Sequence, residues 1–243
     1  MTNPHPTDEP LPQPQEPPHE PVFNIPGVVL LLIALCAAVH VVRVYMLSID
    51  ADTDLLLRTA FIPVRYSGIF PLDIYAFTTP FTYTFLHGDW LHLGINMVWL
   101  AAFGSPLANR LGAPRFLLFW ALTGLAAAAL HWAIHPLDQG PLIGASGAIS
   151  GMMGAAARFA FRMERRGGRA AFGGPALPVG VVLRSRSVVT FLAFWMIINL
   201  ATGLYGFGPG ADAAIAWEAH IGGFVLGFLG LPYFLGSADR RRS

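Results

Sequence analysis

The chain carries uninterrupted apolar runs of roughly 20 residues, each long enough to cross a hydrocarbon core about 30 Å thick as a helix. Residues 25–47 are the plainest case, with one arginine near the end. In lipid every backbone N–H and C=O must be satisfied internally, which leaves helices or a closed barrel. The runs are continuous rather than alternating, so a barrel is excluded and helices remain. Composition agrees: charged residues make up 12% of the 243 positions, about half of what a soluble domain carries.

Six spans are predicted, at residues 25–47, 81–103, 114–134, 142–161, 187–205 and 213–235. The expected fold class is an all-α membrane protein, a bundle of six transmembrane helices. Arginines set the orientation. Arg110, Arg115, Arg158, Arg162, Arg165, Arg166, Arg169, Arg184, Arg186 and Arg240 to Arg242 all fall on one side, which should be cytoplasmic together with both termini. Arg43 is expected to snorkel from the end of span one. Three parts follow: a Pro-rich disordered tail over residues 1–24, the six-span domain over 25–236, and a basic tail over 237–243. The first tail lacks the basic start and apolar core of a signal peptide. The 48–80 connection is expected to form short helices at the bilayer surface.

A net charge of +1 argues against a nucleic-acid partner. Cys36 is the single cysteine, so neither an internal disulfide nor a cysteine-rich metal site is possible. No internal repeat supports a transporter. His131 and His135 stand one turn apart in span three but have no third ligand nearby in sequence, so no metal and no other cofactor is expected. Trp90, Trp132 and Trp217 read as interface anchors, and the arginines of 158–186 as a topology signal that could also hold anionic headgroups.

Polar groups inside the spans carry the chemistry. Ser146 lies near the start of span four, His220 near the start of span six, and His92 and Asn96 in the first half of span two. With six spans, all four fall at similar depth on the outer side. Intramembrane polar residues are costly unless they pair. A serine hydroxyl needs an adjacent imidazole to become a nucleophile, and the oxyanion formed on attack needs prearranged donors. The Ser146 N–H at a helix N-terminus is one such donor, and His92 and Asn96, four residues apart on one helix face, are two more. Gly147, Gly151 and the Ser150–Gly154 pair on span four, with Ala219, Gly223 and Gly227 on span six, form small-residue faces that let helices approach closely. The soluble nucleophile elbow, G-x-S-x-G, does not fit, because position 148 is Ala.

These residues fall into three ordered motifs: His87-x4-His92-x3-Asn96, Gly144-Ala145-Ser146-Gly147 and Ala219-His220-Ile221-Gly222-Gly223. Together they resemble the rhomboid intramembrane serine proteases over residues 81–235. The resemblance implies a rhomboid-like bundle in which Ser146 is the nucleophile and His220 the general base and acid. It makes His92 and Asn96 oxyanion donors, with His87, Gly144, Gly147 and Gly223 as structural support. It implies transmembrane proteins as substrates and a bilayer as the environment. Length and the lack of a targeting-peptide pattern fit a bacterial inner membrane, with an organellar membrane as the alternative. Three positions depart from the family pattern. Thr78 and Thr79 replace a Trp-Arg pair in the first outer loop, Ala108 replaces a Glu after span two, and Ser150 replaces an aromatic that stacks on the histidine. The rival reading is a catalytically silent relative that binds membrane clients.

Overall fold

The computed structural model describes residues 25–205 and 216–236. Both predicted tails, and the first residues of predicted span six, lie outside that range. In chain order the helices are α1 (Gly27–Tyr45), α2 (Ile49–Thr59), α3 (Ile74–Thr82), α4 (Trp90–Trp99), α5 (Ser105–Leu111), α6 (Ala113–Ile134), α7 (Ser146–Arg158), α8 (Val179–Val182), α9 (Arg186–Tyr205) and α10 (Trp217–Phe234). The 48–80 connection contains α2 and α3, joined through a 3-10 turn at Pro63–Tyr66. α4 and α5 are continuous through a π-helical turn at Leu100–Gly104.

Among the described residues, four helices are long and apolar enough to cross a membrane: Gly27–Tyr45, Trp90–Leu111, Ala113–Ile134 and Arg186–Gly203. Predicted spans four and six correspond to α7 and α10, one shorter and the other less apolar than those four. α7 has 13 residues and so rises only about 20 Å. Every residue from Gly147 to Arg158 is buried, so protein rather than lipid surrounds this helix. α10 carries Glu218 and His220 in its first turn, which lowers its hydropathy.

Predicted span two is displaced. Residues 81–89 form the end of α3, a 3-10 turn at Tyr83–Phe85 and an extended loop, and the helix begins at Trp90. Local chemistry explains the shift. Asp89 is an N-cap whose Oδ1 accepts the His92 N–H at 2.7 Å, the role short acidic side chains favour. The helix then runs to Leu111 and stops at Gly112, whose φ of +79° suits the glycine that ends a helix.

Glycines set the centre of the bundle, where α7 packs between α6 and α10. A Cβ on Gly147 would stand 2.5 Å from the Ala127 Cβ, and one on Gly154 2.5 Å from the Phe224 carbonyl oxygen. One on Gly223 would overlap the Gly147 carbonyl, and one on Gly227 the Gly151 carbonyl. Each helical glycine costs roughly 1 kcal/mol relative to Ala. Backbone-to-backbone packing of α7 on α10 offsets that cost and is possible with no larger residue. Around this seam Phe116, Phe119, Met152 and Leu231 are fully buried.

One strand pair departs from the all-α expectation. Met163–Arg166 (β1) and Arg169–Phe172 (β2) form an antiparallel hairpin. Its turn is Gly167-Gly168, with φ of +55° and +77°, the positive pair that a two-residue hairpin turn requires. The hairpin is anchored by Arg110, whose Nη1 donates to Glu164 at 2.9 Å and to the Phe172 carbonyl at 3.1 Å. Arg158, read from sequence as a topology signal, is buried: Nη1 donates to the Phe228 carbonyl and Nε to the Leu177 carbonyl, both at 2.7 Å. These two arginines hold loop and helix ends together.

Candidate active site

Ser146 is the first residue of α7, so its N–H has no partner inside the helix. The approach to it is fixed from both sides. Phe61 and Leu142 exchange backbone hydrogen bonds, and the Gly144 N–H donates to the Tyr83 carbonyl at 3.0 Å. Tyr83 is buried, with its hydroxyl on the Gly124 carbonyl at 2.7 Å. The loop before the serine is therefore tied to the 48–80 connection, to the segment before α4 and to α6.

His220 stands on the first turns of α10, facing α7. Its Nε2 is 2.7 Å from the Ser146 Oγ. Its Nδ1 is 2.5 Å from the Asn199 Oδ1 of α9. The protons follow from Asn199. Its Nδ2 donates to the Trp195 carbonyl at 3.1 Å, which leaves its oxygen to face the imidazole. An amide oxygen only accepts, so Nδ1 carries the ring proton and Nε2 is left to accept from the serine hydroxyl. A Ser–His–Asn relay with this tautomer can remove the hydroxyl proton during attack on a carbonyl.

His92 comes to the same place from α4. A Cβ built on Gly144 would lie 2.9 Å from His92 Nε2 and 3.6 Å from Ser146 Oγ. Both groups are thus within 4 Å of one point, and that point is open because residue 144 is glycine. Its φ of +121° is also one that residues with side chains rarely adopt. The His92 Nδ1 accepts the Gly88 N–H at 3.4 Å, which leaves Nε2 available to donate toward the cleft. Asn96 lies one turn below. It is buried, and its Nδ2 donates to the His92 carbonyl at 2.9 Å; among the described residues it bonds neither Ser146 nor His220. His87 is fully buried, its ring edge-on to His92 with centroids 5.1 Å apart.

Arg43, Arg110 and Asn199 each make defined polar contacts. Arg43 does not snorkel: it makes a bidentate pair with Asp52 at 2.7 and 3.1 Å and donates to the His87 carbonyl at 2.9 Å. It thereby pins α2 and the His87 loop to α1, where the Thr78-Thr79 sequence offers no charged anchor. Ala108 is buried, and Arg110 two positions on supplies the charged tie to the hairpin. Where Ser150 cannot stack on the histidine, Asn199 orients it.

Two further groups at this end of the bundle are not among the residues singled out from the sequence. Asn199 is hidden in an apolar span, where a single amide is itself the signal. Glu218 is 3% exposed, with Oε1 at 2.6 Å from His131 Nδ1 and 3.3 Å from His135 Nε2. It is the third ligand type that the His131–His135 pair lacks nearby in sequence. Trp90 packs edge-on against buried His40, centroids 4.6 Å apart.

The model of the Rhomboid domain matches residues 76–237. Among curated relatives, the putative rhomboid protease YdcA of Bacillus subtilis is 30% identical over 149 residues, 59% of this chain and 62% of that protein. RHOMBOID-like protein 4 of Arabidopsis thaliana is 30% identical over 144 residues, 59% of this chain and 30% of that protein. Rhomboid protease GluP of Bacillus subtilis is 29% identical over 152 residues, 60% of this chain and 25% of that protein. The chain thus spans less than two thirds of each of these relatives. The fold and the apolar helices define a multi-pass helical membrane protein. The chain belongs to the rhomboid family.

Proposed function

We propose that this protein is an intramembrane serine endopeptidase that hydrolyses peptide bonds in or near transmembrane segments of other proteins. The observation that carries the reading is the Ser146–His220–Asn199 relay, with the serine hydroxyl 2.7 Å from an imidazole nitrogen whose tautomer suits a general base. In this reading α7 and α10 complete a six-span bundle with both termini cytoplasmic, and the site opens toward the outer face. A substrate helix unwinds locally and presents a carbonyl to Ser146. His220 takes the hydroxyl proton as the Oγ–carbon bond forms. The oxyanion sits in the space that a side chain at Gly144 would fill, within reach of His92 Nε2 and the Ser146 N–H. Asn96 acts with them by holding the His92 turn and offering its second amide hydrogen. His220 then protonates the leaving nitrogen, and water hydrolyses the acyl-enzyme by the reverse proton route. No cofactor enters the reaction. A bacterial inner membrane is the expected location.

The test is cleavage in proteoliposomes of a single-span protein whose transmembrane segment contains helix-destabilising residues. Wild type should cut it, and Ser146→Ala should not while keeping its helical content. Binding of the substrate by wild type without cleavage would favour a client-binding relative instead.

A further inference from the structure

His131, His135 and Glu218 bring two imidazoles and a carboxylate together at the end of the bundle where Ser146 and His220 lie. His131 and His135 are one turn apart at the end of α6, and Glu218 faces them from the first turn of α10. Their ligand atoms all lie within 4.8 Å of one another. Bonds from zinc to imidazole nitrogen and carboxylate oxygen are about 2.0–2.2 Å, which sets ligand atoms around a tetrahedral ion roughly 3.3 Å apart. The His135 Nε2–Glu218 Oε1 separation is already 3.3 Å, and the His131 Nδ1–Glu218 Oε1 contact of 2.6 Å needs to open by less than about 1 Å to reach that spacing. The half-exposed His135 side chain is the one that would move to close the third edge.

A second observation points the same way. The other nitrogen of His131, Nε2, faces the Asp138 carboxylate at 3.8 Å. At that distance the two groups do not hydrogen-bond; the carboxylate places negative charge behind the ring, where closing on Nε2 once a metal takes Nδ1 would fix the tautomer as it does around most metal-bound imidazoles. Asp138 is itself held by its backbone: its carbonyl accepts the Val64 N–H at 2.9 Å and its N–H donates to the His135 carbonyl at 3.1 Å. Glu218 is a buried carboxylate in a helix of a membrane protein, where a negative charge is costly without a cation.

We propose that His131 Nδ1, His135 Nε2 and Glu218 Oε1 form a binding site for one divalent cation of the zinc class, with water in the fourth position. Two histidines and one carboxylate suit zinc better than calcium or magnesium, which take oxygen ligands. The site clamps the first turn of α10 to the end of α6. Because Glu218 is two residues before His220, bound metal sets the position of that turn.

The test uses the full chain in detergent micelles, purified on a non-histidine tag, with His5 and His19 replaced by Ala so that tail imidazoles do not compete. Zinc binding is measured by competition with a chromophoric chelator, and cobalt is added as a spectroscopic probe. One equivalent of zinc should bind, cobalt should give the visible bands of a four-coordinate site, and magnesium should not compete. His135→Ala, at an exposed position, should weaken zinc binding at least about tenfold without altering the fold, and Glu218→Gln should do the same. Zinc should raise the melting temperature of the parent and not of His135→Ala. Binding unchanged in His135→Ala, or no stoichiometric zinc in a folded parent, would overturn the proposal.

Discussion

Asn199 on α9 accepts a hydrogen bond from His220 on α10 at 2.5 Å, on the side of the imidazole opposite Ser146. The amide is turned by its own bond to the Trp195 carbonyl, so one side chain fixes both the orientation and the tautomer of the proposed base. An amide does this without adding a negative charge to an apolar surrounding.

Asn199→Ala removes that acceptor and frees the ring to turn. Losing a buried hydrogen-bond partner costs about 1–3 kcal/mol, so kcat should fall roughly 10- to 100-fold, with KM little changed. Asn199→Asp, which can still accept from Nδ1, should recover part of the rate and displace the pH profile. Single-turnover cleavage against pH distinguishes this positioning role from a loss of folded protein.

Gly144→Ala would put a methyl group 2.9 Å from His92 Nε2, in the proposed oxyanion position and at a φ that alanine rarely adopts. The strain is about 1–3 kcal/mol, and losing access to one oxyanion donor typically costs on the order of 100-fold in kcat. Cleavage should fall by at least that factor while the protein remains folded by circular dichroism.

Helical glycines should divide into two groups. Gly223→Ala must displace the Gly147 carbonyl, so overpacking should cost about 1–3 kcal/mol or more and lower the melting temperature. Gly94, in α4, has no neighbouring atom within 4 Å of the place an alanine methyl group would take, and Gly94→Ala should be neutral or stabilise by up to about 1 kcal/mol. Thermal unfolding in micelles compares the two directly.

Glu164 lies outside the membrane spans, and its carboxyl is held below the usual range, first by its hydrogen bond with Arg166 and then by the Gly174 N–H. A lowered folded pKa means that the unfolded chain binds the proton more readily. The stabilisation is therefore present above the unfolded value of about 4.3 and is lost as pH falls through the lower folded value. Proteolysis within the β1–β2 hairpin should rise over that acid range in wild type. In Glu164→Gln it should already be raised at neutral pH and change less on acidification.

Much of this site is legible from residue types alone. Ser146 and His220 stand out because intramembrane polar groups need partners, and the glycines around them announce a close helix crossing. The Asp89 cap that positions His92 is a plain local signal. Other features depend on distant segments. The start of α4 at Trp90 is masked in the sequence because residues 81–86 are as apolar as the helix that follows. Asn199 and Glu218 reach their histidines from 21 and 87 positions away in sequence, and no periodicity reports such a pairing. The hairpin is hidden among arginines that read first as charge, although Gly167-Gly168 is a turn signal.

The proposed function stands or falls on activation of Ser146 by His220. The most direct measurement is labelling of the membrane-reconstituted protein with a fluorophosphonate, with the adduct located by peptide mass. One adduct is expected, on Ser146, absent from Ser146→Ala and lost from His220→Ala. Folded wild type that stays unlabelled alongside a reactive control, or labelling that survives in His220→Ala at the wild-type rate, would contradict it.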